Sequence, residues 1–469
     1  MSAPALLWLR RELRLADNPA LAAAIASGRP VLPAFILDET TPGPWAPGGA
    51  SRWWLHASLT ALAADLAARG APLVLRRGPV AEVLPQLLRD SGAAEVHAGD
   101  PVEPWARAAL ARLAPGIDLH LHQTLTLHKS DALRTGGGTP YGVFTPFARA
   151  CLARGAPPKP LPAPARIPAA APPRSDRLED WRLLPSRPDW AGGLRDAWQP
   201  GEAGAQQRLR HFARHGLAAY YRRRDLPGGD GTSMLSPHLA FGEISPAAAW
   251  HAAPGDGAGA TAWRNELLWR EFSAHLLFHH PDLPEHPLRA EFAAMPWRDD
   301  PAALAAWRRG RTGVPIVDAG MRQLWHTGWM HNRVRMIVAS FLAKHLLLPW
   351  QAGEAWFWDT LVDADLASNA AQWQWVAGCG ADAAPYFRIF NPVLQGTRFD
   401  ADGAYVRQYV PELAKLPDRL LHAPWQAPPL DLAAAGVVLG RDYPHPIVDL
   451  AAGRARALAA LQTVTAARA

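Results

Sequence analysis

From the amino terminus to about Leu127, short apolar runs alternate with stretches whose apolar residues recur every three or four positions. The runs are Leu6–Leu9, Val31–Leu37, Pro72–Leu75, Glu95–His97 and Ile117–Leu121; the periodic stretches are Arg52–Arg69, Val80–Asp90 and Glu103–Leu113. Runs of that length read as strands buried on both faces, and three-four spacing reads as amphipathic helix. Their alternation predicts an α/β domain over residues 1–128, a doubly wound parallel sheet of Rossmann-like type. No Gly-x-Gly-x-x-Gly follows the first run, so nothing on this half points to a dinucleotide. Arg10, Arg11 and Asp17-Asn18-Pro19 fall at the carboxyl end of the first strand, where such sheets bind ligands. A strand-end turn with a cap explains them as readily.

Residues 129–202 lose the periodicity and are rich in Pro, Gly, Ala and Arg, as in Pro157-Pro158-Lys159-Pro160 and Pro172-Pro173. This reads as a long connector on the surface, with Tyr141–Phe147 apolar enough to pack, and a connector of such length argues for two domains. From about Gln206 strand patterns almost vanish. Helical spacing covers Leu209–Leu217, Pro246–Ala253, Thr261–His279, Pro301–Arg309, Ile316–Thr327, Asn332–Leu347, Gly353–Leu361 and Leu450–Ala466, which predicts an all-helical domain over residues 203–469. No internal repeat is visible.

Composition changes the picture in four places. The first dozen residues reach charge too soon for the apolar core of a signal peptide, and no apolar run approaches membrane-spanning length. Cys151 and Cys379 are far apart and show neither disulfide nor metal-ligand spacing, so a reduced cytoplasm and no metal site are expected. The net charge of +6 permits nucleic-acid binding without demanding it. The 21 Trp outnumber the 13 Phe and 7 Tyr together. A plain core uses Phe and Leu first; indoles add stacking, easy oxidation and an N–H that needs a partner.

The densest chemistry lies between Pro315 and Asn391. Gly328-Trp329-Met330-His331-Asn332-Arg333-Val334-Arg335-Met336 has helical spacing that sets Asn332, Arg335 and Met336 on neighbouring faces, polar where a core would want Leu or Ile. Asp363 and Asp365 are natural charge partners for such an Arg, which survives burial only when paired and hydrogen-bonded. Together they point to a polar cavity that holds something. Gly228-Gly-Asp-Gly-Thr232-Ser233-Met234-Leu235-Ser236 puts three hydroxyls after a glycine turn at a helix start, which suits a phosphate as well as ordinary capping. In Asn265–Phe272, Glu266, Trp269 and Arg270 stand at i, i+3 and i+4 on one face: a carboxylate, a flat ring and a guanidinium able to bond, stack on and charge-match a nucleobase.

On these residues the chain resembles the cryptochrome/photolyase family, and most closely its class I enzymes that repair cyclobutane pyrimidine dimers in DNA. The resemblance is carried along nearly the whole length by Leu7-Trp-Leu-Arg-Arg-Glu-Leu-Arg-Leu-Ala-Asp-Asn-Pro19, Thr232–Pro237, Glu266–Phe272, Thr312-Gly-Val-Pro-Ile-Val-Asp-Ala-Gly-Met-Arg322, Gly328–Met336 and Ala384-Pro-Tyr-Phe-Arg-Ile-Phe-Asn-Pro392.

The resemblance implies FAD in the helical domain, reduced and anionic in its working state. By matching motif positions, Tyr220, Thr232, Ser233, Met234, Leu235, Ser236, Trp329, Asn332, Arg335, Asp363, Ala364, Asp365 and Asn369 contact the cofactor. Arg335 and Asp363 form an ion pair beside the ring, and Asn369 faces flavin N5, where a neutral amide favours the anionic state. Glu266, Trp269, Arg270, Asn332, Met336 and Trp375 line the lesion cavity, with Arg224 and Arg333 nearer the DNA backbone. Glu266 and Asn369 are the catalytic candidates. Trp373, Trp350 and Trp297 match an electron-hopping chain. Six-four photolyases carry histidines where Asn332 and Met336 stand, which favours the cyclobutane dimer, flipped out of the helix, as substrate.

A second antenna stays open between methenyltetrahydrofolate, a deazaflavin and none. Folate-binding relatives have an Asn-Glu pair where this chain has Pro104-Trp105. A cryptochrome light receptor is the main alternative, disfavoured by the intact lesion motif and by a chain that stops soon after its last helix. A monomer with UV-damaged DNA as partner, no membrane and no obligate protein partner is expected.

Overall fold

The computed structural model describes residues 2–383 and 387–466. The Ala384-Pro385-Tyr386 part of the last matched motif lies outside the described residues. Five strands, β1 (Ala5–Leu9), β2 (Val31–Leu37), β3 (Val74–Arg77), β4 (Glu95–Gly99) and β5 (Leu119–His122), form one sheet in the order β3-β2-β1-β4-β5. All four pairings are parallel. The predicted doubly wound domain is therefore present, and the apolar runs are its strands.

Period-two alternation divides β1 between two cores. Ala5, Leu7 and Leu9 join Leu21 of helix α1 (Pro19–Ala26) and Leu55, Leu59 and Leu62 of α2 (Gly49–Ala68) on one face. Leu6 and Trp8 join Leu84 and Leu87 of α3 (Val80–Ser91) and Leu110 of α4 (Pro104–Leu113) on the other. Burial on both faces is why β1 and β2 read as unbroken apolar runs.

The proline-rich connector does more than run over the surface. Val31 N–H donates to Pro168 O at 2.6 Å, Ala170 N–H donates to Val31 O at 3.0 Å, and Ile167, Trp181 and Leu183 are buried in the same core as Leu7. Tyr141–Phe147 leads into a helix, α5 (Phe144–Ala153), which sequence pattern left without a secondary structure.

Two compact units follow from the backbone: residues 1–218, 233–281 and 362–368 form the first, and 219–232, 282–361 and 369–469 the second. The second is helical, with the Pro315–Thr327, Asn332–Ser340, Trp350–Thr360 and Leu450–Ala466 helices among its elements. The stretch predicted as one helix to Leu347 changes to a π-turn at Phe341–His345. There Lys344 is fully buried, and its Nζ donates to Ala377 O at 2.7 Å. Within the Thr312–Arg322 motif, Asp318 is a hub: it accepts from Thr312 N at 2.7 Å, Thr312 Oγ1 at 2.6 Å, Gly313 N at 3.0 Å and Tyr443 Oη at 2.6 Å. That part of the motif holds the fold together. Among the described residues no helix is long and apolar enough to cross a membrane.

Candidate cofactor and lesion site

The expected site residues fall in both units, and each group has its own geometry. In the first unit, Glu266, Trp269 and Arg270 lie on the Ala258–His279 helix. The Trp269 ring is stacked on Phe144, the first residue of α5, with centroids 3.7 Å apart and planes within 5°. Arg270 donates to the carbonyls of Leu125 and, at 3.3 Å, Leu239. The shared helix face expected from spacing thus gives an indole covered on one side and a guanidinium already engaged with backbone.

Asp365 caps the Leu366–Ala377 helix by accepting from Ser368 N at 2.9 Å, while its other oxygen accepts from Arg11 Nη2 at 2.8 Å. Arg11 also donates to Ala240 O at 3.0 and 2.8 Å and to the Glu103 carboxylate. Arg11, Glu103, Leu125, Thr126, Arg270 and Asp365 line a narrow cleft. Burial alone would raise the Asp365 carboxyl, but the positive charges of Arg11 and Arg270 outweigh it and hold the group far below its ordinary value. Glu103 is lowered in the same way, burial being overcome by Arg11 and Arg10. Asp363 is buried and Ala364 half-buried just before this cap.

Glu271, next to Arg270, behaves oppositely: burial pushes its carboxyl up to about 7 from 4.5, with Arg270 and the His128 N–H opposing. The folded chain favours the protonated form, so stability falls as pH rises from 4.5 through about 7. Glu271→Gln should therefore melt above the parent at pH 8 and show no such gain at pH 5, read by thermal denaturation at both pH values.

The glycine-hydroxyl segment is a turn with Met234 at φ 50° in the left-handed region, and Ser233 Oγ accepts from Leu235 N at 3.3 Å. Such a backbone is disfavoured for a residue with a Cβ. Thr232 and Ser233 are half-buried, and Ser236 opens the short Ser236–Ala240 helix.

In the second unit, Tyr220 is buried, with the Arg224 guanidinium 5.5 Å from its ring centroid. Arg333 pairs with Asp225 at 3.0 Å and lies 4.4 Å from the Phe399 ring. Asn332 is the exposed first residue of its helix; His331 caps that helix by accepting from Arg333 N at 3.2 Å. Arg335 Nε donates to Met330 O at 2.7 Å, its guanidinium 5.9 Å from the buried Trp329 ring, and Met336 is half-buried. Trp375 lines a cleft with Val376, Asp382, Arg388 and Phe390, Arg388 lying 6.0 Å from its ring.

Asn369 Nδ2 donates to Glu354 O at 3.0 Å. Trp373 packs edge-on against Phe357 at 5.0 Å and Trp307 at 6.2 Å. A Cβ at Gly353 would fall 2.1 Å from Trp373 Cη2, so the indole lies directly on the backbone of the Trp350–Thr360 helix. Buried Trp350 stands three residues before Gly353 on that helix, and Trp297 is half-buried. Gly353→Ala should push Trp373 out of place and cost about 1–3 kcal/mol, seen as a lower denaturation midpoint.

Both carboxyl oxygens of Glu354 and Trp373 Nε1 are buried without a hydrogen-bond partner among the described residues. Burial, with Glu285 adding to it, keeps the Glu354 carboxyl well above its ordinary value. Unsatisfied buried polar atoms of this kind are costly unless a bound polar group meets them. A flavin's edge of alternating donors and acceptors fits that requirement.

Sequence reasoning missed Glu103, Glu354 and Phe144 and left Arg11 open between a ligand-binding strand end and a turn. Arg11 and Asp365 are 354 positions apart, beyond any periodicity. Only Glu354, a carboxylate inside the apolar Trp350–Phe357 pattern, left a readable signal.

Residues 5–165 match the family described as DNA photolyase, and residues 263–463 the FAD binding domain of DNA photolyase. The chain is 50% identical to a deoxyribodipyrimidine photo-lyase of Agrobacterium fabrum over 99% of its own length and 98% of the relative's. Identity to cryptochrome-1 of Arabidopsis thaliana is 38%, over 96% of the chain and 69% of that protein. A crystal structure described as a bacterial class III photolyase from Agrobacterium tumefaciens superposes with a TM-score of 0.95 at 49% identity, covering 99% of this chain and 98% of that one. The chain belongs to the DNA photolyase/cryptochrome family, and its helical part carries the family's FAD-binding domain.

Proposed function

We propose that the protein is a deoxyribodipyrimidine photo-lyase that splits cyclobutane pyrimidine dimers in DNA under blue light. The supporting observation is the half-buried Trp269 indole, stacked on Phe144 and one residue before the Arg270 guanidinium on the same helix. Flat apolar walls hold a flipped-out pyrimidine pair, while Glu266 and Asn332 bond its edges and Met336 adapts to its shape. Arg224 and Arg333 steer the phosphates, and Arg270 adds positive charge beside them.

Tyr220, Thr232, Ser233, Met234, Leu235 and Ser236 hold the phosphate end of FAD; Trp329, Asn332, Arg335, Asp363, Ala364, Asp365 and Asn369 hold the rest. When bound and reduced, FAD supplies the light-driven electron that breaks the cyclobutane ring and is then returned. The Asn369 amide carries no ionisable proton, which favours an anionic ring. Trp373, Trp350 and Trp297 pass electrons inward from solvent. The functional layout is an α/β domain over 1–128, a connector over 129–202 and a helical FAD- and DNA-binding domain over 203–469, acting as a monomer.

The motif resemblance implied class I, whereas the likeness to the structure described as a class III photolyase favours class III. The test is incubation of chemically reduced protein with thymine-dimer DNA. Dimers should disappear under blue light and persist in the dark; dimers that survive illumination would leave the cryptochrome reading in its place. DNA affinity should also fall steeply with added salt.

A further inference from the structure

Strand β5 is an edge strand, and its sequence alternates Asp118-Leu-His120-Leu-His122 beside Glu95-Val-His97 on β4. His97 pairs with His120 and Gly99 with His122, so period two brings Glu95 and His97 together with Asp118, His120 and His122 on one face. Leu119 turns to the opposite face and packs against the α3–α4 core. The His97 ring is stacked against both His120, centroids 4.9 Å apart, and His122, 5.2 Å apart.

The polar atoms converge. His120 Nε2 is 3.1 Å from Asp118 Oδ1, and one ligand atom each from Glu95, Asp118 and His120 lies within 4.8 Å of the other two. Ligand atoms bonded to one transition-metal ion at about 2.0–2.2 Å sit roughly 3–3.5 Å apart. Behind this trio, Glu95 Oε1 is 3.2 Å from His97 Nε2, and His97 Nδ1 is 3.0 Å from His122 Nε2. That chain fixes the Glu95 carboxylate as outer-layer partners fix metal ligands. Arg29 Nε lies 3.4 Å from the other oxygen of the same carboxylate, Glu95 Oε2.

We propose that Glu95, Asp118 and His120 form a divalent transition-metal site, suited by its mixed nitrogen and oxygen donors to Zn²⁺, that clips the edge strand β5 to β4. Two carboxylates and one imidazole leave room for water as a further ligand, and the ion cancels the repulsion between Glu95 and Asp118. The site is independent of light-driven chemistry.

The test uses the full chain without a histidine tag, freed of metal by a chelator and titrated with Zn²⁺ by calorimetry. One saturable ion per chain is expected, with a higher melting midpoint that the chelator reverses. His120→Ala and Asp118→Asn alter exposed side chains, so both should fold, as circular dichroism without metal will verify. Each should weaken Zn²⁺ binding at least about tenfold. Absence of saturable binding, or equal binding by parent and both variants, overturns the proposal and leaves the histidines as a hydrogen-bonded ladder.

Discussion

Trp373→Phe is expected to abolish photoreduction of oxidised flavin in this protein, while dimer splitting by chemically reduced enzyme persists. The indole is buried and packed on the Gly353 backbone, so a phenyl ring can occupy part of its volume without a charge or hydrogen bond being lost. Phenyl is much harder to oxidise than indole, so the innermost step of the hopping chain fails. Illumination of the oxidised variant with an external electron donor, followed by its absorption spectrum, is the measurement. Photoreduction at the parental rate would remove the chain from the account. Loss of repair in the reduced variant would instead mean that Trp373 also shapes the lesion site.

Arg11→Ala should be the most destabilising single change among the residues discussed. It strips the guanidinium from two carboxylates, buried Glu103 and half-buried Asp365, and removes the donors to Ala240 O. Breaking a buried pair from one side costs about 3–5 kcal/mol, because the remaining charge is left uncompensated. Chemical denaturation of parent and variant reads this directly. Arg11→Lys keeps the charge but not the fork that reaches both acids, and should recover only part of the loss. The acid limb offers a second readout. The folded Asp365 carboxyl lies below its unfolded value of 3.8, so its contribution is complete above that pH and fades as pH falls below it. In Arg11→Ala that acid-side decline should flatten.

Local pattern carried the α/β domain well, because both of its signals are local. A strand buried on both faces is an apolar run, and β1, β2 and β4 lie where those runs are; β3 begins two residues later than expected, at Val74, and ends on two arginines that no apolar criterion selects. The connector was less legible, since Ile167, Trp181 and Leu183 are isolated among prolines and reveal their core role only through distant partners. The π-turn at Phe341–His345 has the same cause: a helix-forming sequence says nothing of the local widening around a buried Lys344. At the site, motif resemblance supplied residue identities. Arg11, though inside a matched motif, and Glu103 received no site role because their meaning lies in ion pairs, closing over 92 residues between the two and over 354 from Arg11 to Asp365.

The stack of Phe144 on Trp269 makes that indole a one-sided shelf. A planar guest has a single way to lie on it, since the other side is taken by a ring on a different segment of the chain. Approach direction is thereby set before any hydrogen bond is made. Shaving Phe144 to a small residue would turn the shelf into a freestanding plate, open to guests in two orientations where the native ring admits one.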